Sequence, residues 1–536
     1  MSDETVSSPS ELEAVYAKLK GIRTRTDLTA RQAKYLRDTF VALDGTERPV
    51  KLRYYQIQGV LHLLAMKRFL LGDDTGLGKT LQTISALCYL WEKTPDQKVI
   101  VLTTKSATAQ WGSEFEKFTK GIRVFVCRGS AAQRQKIRDA YEASTGPTVL
   151  ISGYRSMIQD FAKIQEWEGF VFVTDEATAF KNPSTQVGQV CRYLSGRATR
   201  SWGLTATLIK NSLIEGWGIY QVIVPGLFGN RSKFLNEYCI TRMQQLPGSR
   251  RQVPVIVGYR DRDVKAFREL IDPYFLGRPK HEVASELPPL IVKHVECGMS
   301  SVASAKYAEA LSGLLEIGKG DEKGEVEVTK LTAVTYCQQI VNHPELIGVE
   351  GESEKLDELI DLLTGEFAGD KVIVYSRFRK MIDIIVPALK KEGIASTRIT
   401  GAEDEKQRKI AQDLFQDGTS NTNVICITTA ASEAINLQAA KAIIFYDTPF
   451  SAGDYLQILG RMIRIGSLHD RVYAIHLLVK KTVDTHVMQI MTKKMALVEK
   501  VLGKRIKGEK DDVVVSVDND LSDLFNALRD DARRAA

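Results

Sequence analysis

No two of the seven cysteines, Cys88, Cys127, Cys191, Cys239, Cys297, Cys337 and Cys426, stand in a C-x-x-C pair, and their number is odd. That scatter indicates neither a zinc site nor a disulfide framework, and several lie in apolar runs, so buried small side chains in a reducing compartment are expected. No stretch approaches the ~20 consecutive apolar residues that cross a bilayer. The start, Met1-Ser2-Asp3-Glu4-Thr5, is polar and acidic with no apolar core behind it. The expectation is a protein with no membrane partner, cytoplasmic in a bacterial or virally infected cell, or nuclear if eukaryotic. Charge of one sign is scarce: +7 over 536 residues permits a polyanionic partner without requiring one. With 44% hydrophobic and 26% charged residues, wholesale disorder is excluded and two or more domains fit the length.

Glycine, by contrast, is concentrated where it is informative. Asp73-Asp74-Thr75-Gly76-Leu77-Gly78-Lys79-Thr80 closes an apolar stretch and opens a helical one, Leu81 to Leu87. Two glycines let a backbone wrap phosphate oxygens, the helix that follows presents unpaired N–H groups and a positive dipole end, Lys79 supplies a mobile cation, and Thr80 can ligate magnesium. The strict G-x-x-x-x-G-K-[ST] pattern wants glycine where Asp73 stands, with Gly72 one place early. A second site supports the reading. Gly169 to Thr174 has the pattern of a buried strand and ends in Asp175-Glu176, where Asp175 can orient magnesium and Glu176 can polarise the water that attacks the γ-phosphate.

The fold class expected is α/β, with two domains in tandem, each a mostly parallel sheet flanked by helices, and helical insertions between them. Residues 1–48 read as a helical extension, 49–290 as the first lobe with a protrusion, 291–355 as a helical linker, 356–502 as the second lobe and 503–536 as a tail. Strand patterns recur at Val99–Thr103, Thr148–Ser152, Phe170–Thr174 and Ser201–Thr205, then at Lys371–Ser376, Ser396–Thr400, Val424–Thr428, Ala442–Tyr446 and Val472–Leu478. Between 225 and 355 the strand signal fades into helical and irregular chain, with Gly318 to Glu325 as a charged loop. The tail ends in an amphipathic pattern, Leu521, Leu524, Phe525 and Leu528, expected to brace its own domain. The second half has no phosphate loop; Gln457 to Gly466 instead places Arg461 and Arg464 at i and i+3, on one helix face, suited to stabilising charge on a transferring phosphoryl group.

In order and spacing, these segments resemble the Swi/Snf family of helicase-like DNA translocases in helicase superfamily 2, over about residues 50 to 502. Leu52-Arg53-Tyr54-Tyr55-Gln56 with Gly59 is similar to the adenine-recognition motif, which implies that Gln56 reads the base edge and that Arg53 or Tyr55 packs beside it. Gly76 to Ile84 resembles the first motif, Val101 to Phe115 motif Ia, Ile151 to Tyr154 motif Ib, Asp175-Glu176 with Lys181-Asn182 motif II, and Leu204 to Thr207 with Asn211 motif III. Pro273 to Lys280 with Leu287 and Pro288, then Asn342-His343-Pro344, are similar to stretches seen less often outside this family. Lys371 to Ser376 resembles motif IV, Gly401 with Arg408 the one after it, Ile435-Asn436-Leu437 the end of motif V, and Gln457, Arg461 and Arg464 fall on motif VI.

The resemblance implies two tandem RecA-like lobes, ATP and Mg2+ as cofactors, DNA as partner, catalytic roles for Lys79, Asp175, Glu176, Gln457, Arg461 and Arg464, and coupling through Thr178, Thr205, Thr207 and Lys210. It also implies strand-backbone contacts at Lys105, Tyr154, Ser376, Arg377, Thr429 and Asn436. Arg250 and Arg251 join them on charge alone, in a loop from Arg242 to Arg262 rich in arginine and glutamine. Three positions depart from the family pattern: Thr178, Lys210, and the run Ala431, Ser432 and Ala434. The function expected is a DNA-dependent ATPase that translocates on duplex or branched DNA in fork remodelling, branch migration, recombination or repair. The absence of a chromatin-reading segment favours that over nucleosome remodelling, and a protein partner could dock on either extension. A weakened nucleic-acid-binding switch and a strand-separating DNA or RNA helicase stay open beside it.

Overall fold

The computed structural model describes residues 52–245, 250, 252–283, 288–317, 324–327, 329–429, 435–463, 467, 469–502, 524–525 and 527–529. The expected helices before residue 49, Arg251, the motif V run at 431–434 and Arg464 lie outside the described residues. Two compact units emerge, one from the chain up to Tyr238 with Arg262–Ser285, the other from Cys239–Asp261 and Glu286–Lys500.

The first unit is built on strands β1 (Arg68–Leu71), β2 (Lys98–Thr103), β3 (Arg123–Cys127), β4 (Thr148–Gly153), β5 (Val171–Asp175) and β6 (Arg200–Leu204). After the antiparallel ribbon of β7 (Ile240–Gln245) and β8 (Gln252–Gly258), which falls in the second unit, β9 (Phe275–Leu276) completes the sheet. The order is β3-β4-β2-β5-β6-β1-β9, and every pairing is parallel. Strands covered on both faces must be apolar throughout, and β4 is buried at every position while β2 and β5 are half-buried only at one terminal residue. Leu204 of β6 is the register partner of both Leu71 and Asp175, so β1, β6 and β5 end level with one another. Three functional segments therefore leave one edge: the phosphate loop, the Thr205–Thr207 turn and the acid pair.

The second unit repeats the design with β10 (Leu290–Cys297), β13 (Val372–Tyr375), β14 (Ser396–Ile399), β15 (Val424–Ile427), β16 (Ala442–Phe445) and β17 (Val472–Val479) in the all-parallel order β10-β17-β16-β13-β15-β14. A small hairpin, β11 (Leu314–Ile317) with β12 (Gly324–Glu327), precedes β13. Two expectations change here. The region from 225 to 355 is not strand-poor, since β7 to β12 all lie in it, and Gly324-Glu325 of the expected loop is strand. Residues 291–355 are not a separate linker: β10 is an edge strand, and Ala303, Tyr307, Cys337, Ile340 and Leu346 join the second unit's core alongside Val374 and Ile444. Short strands and helices without regular alternation hid this, because their apolar faces are completed only by distant partners. Leu524, Phe525 and Leu528 are buried in that same core, so this part of the tail braces its own domain. All seven cysteines are buried and unbridged, and among the described residues no helix is long and apolar enough to cross a membrane.

His476, fully buried on β17, stacks on Phe445 at 4.7 Å and lies 3.3 Å from the Tyr455 hydroxyl. Burial, then His294 on the neighbouring strand, pushes its imidazole down from 6.5 to about 3. Between those values the unfolded chain binds the extra proton, so the contribution is complete above pH 6.5 and is lost as pH falls toward about 3, at roughly 1.4 kcal/mol per pH unit. Chemical unfolding followed from about pH 7 to about 4.5 should show this slope, and His476→Gln should flatten it.

Candidate nucleotide site and its polar frame

Helix α1 (Tyr54–Ala65) runs into β1, and β1 feeds the loop that opens helix α2 (Lys79–Lys93). Gly76 and Gly78 sit at φ of 85° and 78°, backbone that side chains resist, and a Cβ on Gly78 would stand 2.6 Å from Gln56 Nε2. No side chain caps the start of this 15-residue helix, which leaves its first N–H groups for an anion. Lys79 Nζ donates to the carbonyl oxygens of Asp73 at 2.7 Å and Asp74 at 3.4 Å. Burial pushes its ammonium below the usual lysine range, opposed by the carboxylates of Glu176, Asp73, Asp175 and Asp74. The loop, the lysine and the acid pair thus act on one another within this unit.

Asp73, where the strict pattern has glycine, is fully buried and bound bidentately by Arg278, Nε to Oδ1 at 2.8 Å and Nη2 to Oδ2 at 2.5 Å. Gln82 Nε2 adds a third bond to Asp73 at 3.1 Å and also donates to the Leu77 carbonyl at 3.2 Å. Gln56 lies across the same turn, its Oε1 accepting from Arg53 N and its Nε2 donating to the Leu77 carbonyl at 3.3 Å. Of the two residues expected beside a base, Arg53 is exposed, whereas Tyr55 is buried with the Arg278 guanidinium 5.5 Å from its ring centroid. Gly59 is required for close approach, since a Cβ there would meet Gln82 Oε1 at 1.8 Å.

Asp175 is fixed from behind. Its Oδ2 accepts from Trp111 Nε1 at 2.8 Å and Thr103 Oγ1 at 3.0 Å, and its Oδ1 from Glu176 N at 3.1 Å. Glu176 follows at φ 55°, a left-handed conformation uncommon for a non-glycine residue and the kind of strain that clusters at active sites. Among the described residues no group of three or more His, Cys, Asp or Glu side chains forms a metal cage. The Thr80 hydroxyl and the oriented Asp175 carboxylate instead fit magnesium, which takes few protein ligands and relies on phosphate oxygens and water.

The Thr205 hydroxyl donates to the Thr207 carbonyl at 2.9 Å and accepts from Thr207 N at 3.1 Å, which locks the turn after β6. Glu215 ties this segment to motif II: its Oε2 accepts from Lys210 N at 2.7 Å and Asn211 N at 2.9 Å, and its Oε1 from Lys181 Nζ at 2.6 Å. Burial would raise the Glu215 carboxyl, but Lys181 and these backbone donors leave it net below the ordinary glutamate range. Thr178 stands in the short turn Ala177–Phe180, half-buried, and its carbonyl accepts from Lys181 N.

In the second unit, helix Ala452–Met462 carries Gln457 and Arg461, both largely buried, and Arg461 Nη1 reaches the Ile435 carbonyl at 3.5 Å while its own carbonyl accepts from Leu437 N. Motifs V and VI are thereby joined. Asp447, just past β16, accepts from Ser376 Oγ at 2.5 Å, Arg377 N at 2.9 Å and Asn342 Nδ2 at 3.0 Å. Burial raises its carboxyl, opposed first by the Ser376 bond. Asn342 accepts in turn from buried Lys355, which also pairs with Asp484 at 2.6 Å.

The residues expected on nucleic acid divide by exposure. Lys105, Arg250 and Arg377 are exposed, and Thr429 and Asn436 half-buried. Two are corrected: Tyr154 is turned inward, its hydroxyl donating to the Asp175 carbonyl at 2.6 Å, and Ser376 is fully buried on Asp447, so both support neighbours and neither can reach a strand. Arg278, Glu215 and Asp447 carried no signal of their own in the sequence, although Asp447 stands at the carboxyl end of an expected parallel strand, where polar groups collect.

Restoring the strict pattern with Asp73→Gly should damage the site. The Arg278 guanidinium would be left buried and unpaired, at a cost of about 3–5 kcal/mol in urea unfolding, and nucleotide affinity should fall with it.

The model of the SNF2-related domain matches residues 55–346, more than half of the chain, and that of the helicase conserved C-terminal domain matches 354–466. The chain is 27% identical over 472 residues to the chromodomain-helicase-DNA-binding protein 1-like of Mus musculus, covering 84% of this chain and 50% of the relative. It is 26% identical over 510 residues to the ISWI chromatin-remodeling complex ATPase ISW1 of Saccharomyces cerevisiae, covering 89% and 44%. It therefore spans half or less of these relatives' length. A solved structure of the Sulfolobus solfataricus SWI2/SNF2 ATPase core in complex with dsDNA aligns at TM-score 0.41 and 22% identity, over 87% of this chain and 98% of that one. The chain belongs to the SNF2-related family.

Proposed function

We propose that this protein hydrolyses ATP in a DNA-stimulated cycle and uses the cycle to move along double-stranded or branched DNA. The observation that carries the reading is the convergence at one sheet edge of the glycine turn, the Lys79 ammonium and the Asp175–Glu176 pair, with both acids acting on Lys79. The first N–H groups of α2 and Lys79 bind the triphosphate, and Glu176 accepts the proton of the attacking water. Thr80 and Asp175 would hold magnesium, which would neutralise charge at the phosphate oxygens. Gln457, Arg461 and Arg464 are assigned the stabilisation of charge developing on the transferred phosphoryl group. Glu215 holds the motif II and motif III segments as one body, which supports a relay of nucleotide state to Thr178, Thr205, Thr207 and Lys210.

DNA contact is assigned to Lys105, Arg377, Thr429, Asn436 and the β7–β8 ribbon with Arg250 and Arg251. From Ile240 to Arg260 the sequence has four arginines and no acidic residue. That composition suits phosphates and not base readout. The DNA-processing role that we favour is fork remodelling, branch migration, recombination or repair. One of the relatives matched, ISW1, is named a chromatin-remodeling complex ATPase, so a nucleosomal template belongs in the same test.

Phosphate release measured with single-stranded DNA, duplex, fork, four-way junction, nucleosome and RNA should be highest on a duplex or branched DNA, and Glu176→Gln or Lys79→Ala should abolish it. Nucleotide binding without turnover would instead mark a switch, and preference for RNA would overturn the substrate. Replacing Arg242 and Arg250 by alanine should lower the DNA-stimulated rate and shallow its salt dependence by about two contacts' worth of slope. An unchanged rate and slope would remove the ribbon from the interface.

A further inference from the structure

Arg278 follows β9, far in sequence from the phosphate loop, yet all five of its N–H groups are used there. Nε and one Nη2 hydrogen bind the Asp73 carboxylate, the other Nη2 hydrogen points to Gln82 Oε1 at 3.3 Å, and Nη1 donates to the Tyr55 carbonyl at 2.6 Å and Gln58 Oε1 at 3.2 Å. One end of the guanidinium therefore holds the loop and the other holds the first turns of α1. The backbone runs the same way, with Gly72 N donating to the Leu276 carbonyl at 2.7 Å and Asp74 N to the Arg278 carbonyl at 3.1 Å. Gln56 of α1 lies close enough to the turn that a Cβ on Gly78 would strike it. The start of α1 thus lies directly beside the turn that opens α2, within reach of a nucleotide whose phosphates rest there.

We propose that Arg278 is a positioning residue for base selection: it fixes the spacing and tilt of α1 relative to the phosphate loop, so that an adenine is accepted and a guanine refused. The proposal rests on the reading of this site as an ATP site. Discrimination between bases depends on donors and acceptors held at a set distance from the phosphate anchor, and a loose mount lets either base settle. A lysine cannot replace the mount, because a single ammonium cannot form the bidentate pair with Asp73 and still reach Tyr55 and Gln58.

The test is kcat/KM for ATP and for GTP in the full chain with saturating duplex DNA, for the wild type, Arg278→Lys and Gln58→Met. Wild-type ATP turnover, measured first, decides the parent reading by itself. Given that turnover, Arg278→Lys should shrink the ATP to GTP ratio by about tenfold, equivalent to about 1.4 kcal/mol, through a rise in KM for ATP, and Gln58→Met should shrink it less. A role confined to folding would lower both nucleotides' rates in parallel and leave the ratio alone, which overturns the proposal. If Arg278→Lys does not fold, Gln58→Met decides: a narrowed ratio supports Arg278 as the mount, an unchanged ratio rejects it.

Discussion

A buried carboxylate bound on both oxygens by a buried guanidinium is the constraint on which the nucleotide site depends. Two charges taken out of water are costly, and they hold here because Asp73 and Arg278 satisfy each other and Gln82, Gln58 and the Tyr55 carbonyl use what is left. The phosphate loop is consequently fastened from outside itself. Glycine at position 73 would give the turn freedom; aspartate gives it an anchor in a segment two hundred residues away in the chain. Gly76 and Gly78, at positive φ, keep the freedom that the phosphate-facing part needs.

The second unit follows the same logic with a different centre. Asp447 and Asn342 collect bonds from Ser376, the Arg377 backbone, Lys355 and the Tyr446 hydroxyl, and this buried net fixes where the exposed Arg377 begins. The polar residues at the carboxyl ends of the strands and at the start of α1 fall into two sets. Lys105, Arg377 and Arg53 face solvent, while Tyr154, Ser376 and Tyr55 face inward and hold a backbone or a partner in place. A low-dielectric interior makes such fully bonded networks rigid, and that rigidity is what a site must have to place a lysine and two carboxylates against a phosphate chain.

Much of the architecture could be read in advance. The buried strands from Val99 to Leu478 sit within a residue or two of where the apolar runs place them, and two parallel sheets result. What escaped was β1, the half-exposed edge strand β3 and the middle of the chain. β9 has two residues, β10 is exposed at half of its positions, and the helices that follow it, Ser301–Ser312 and Lys330–Asn342, join a core completed by Val374 of β13, Ile444 of β16 and Leu477 of β17. No local period marks such elements, since the face that each buries is defined by a neighbour remote in sequence.

The sequence by itself determined where the proposed chemistry is written: a glycine turn ending in Lys79-Thr80 and a buried strand ending in Asp175-Glu176 are patterns in adjacent residues, because a turn and a strand end are each local objects. Tertiary structure alone decided which polar groups are free to act and which are bound into the frame. Asp73 looked like a defect until Arg278 was beside it, Glu215 was one more acid until Lys181 and two backbone amides converged on it, and Tyr154 and Ser376 lost their outward roles to burial. Hydrogen-bond satisfaction in the interior is a property of pairs far apart along the chain, and spacing within a motif carries no record of it.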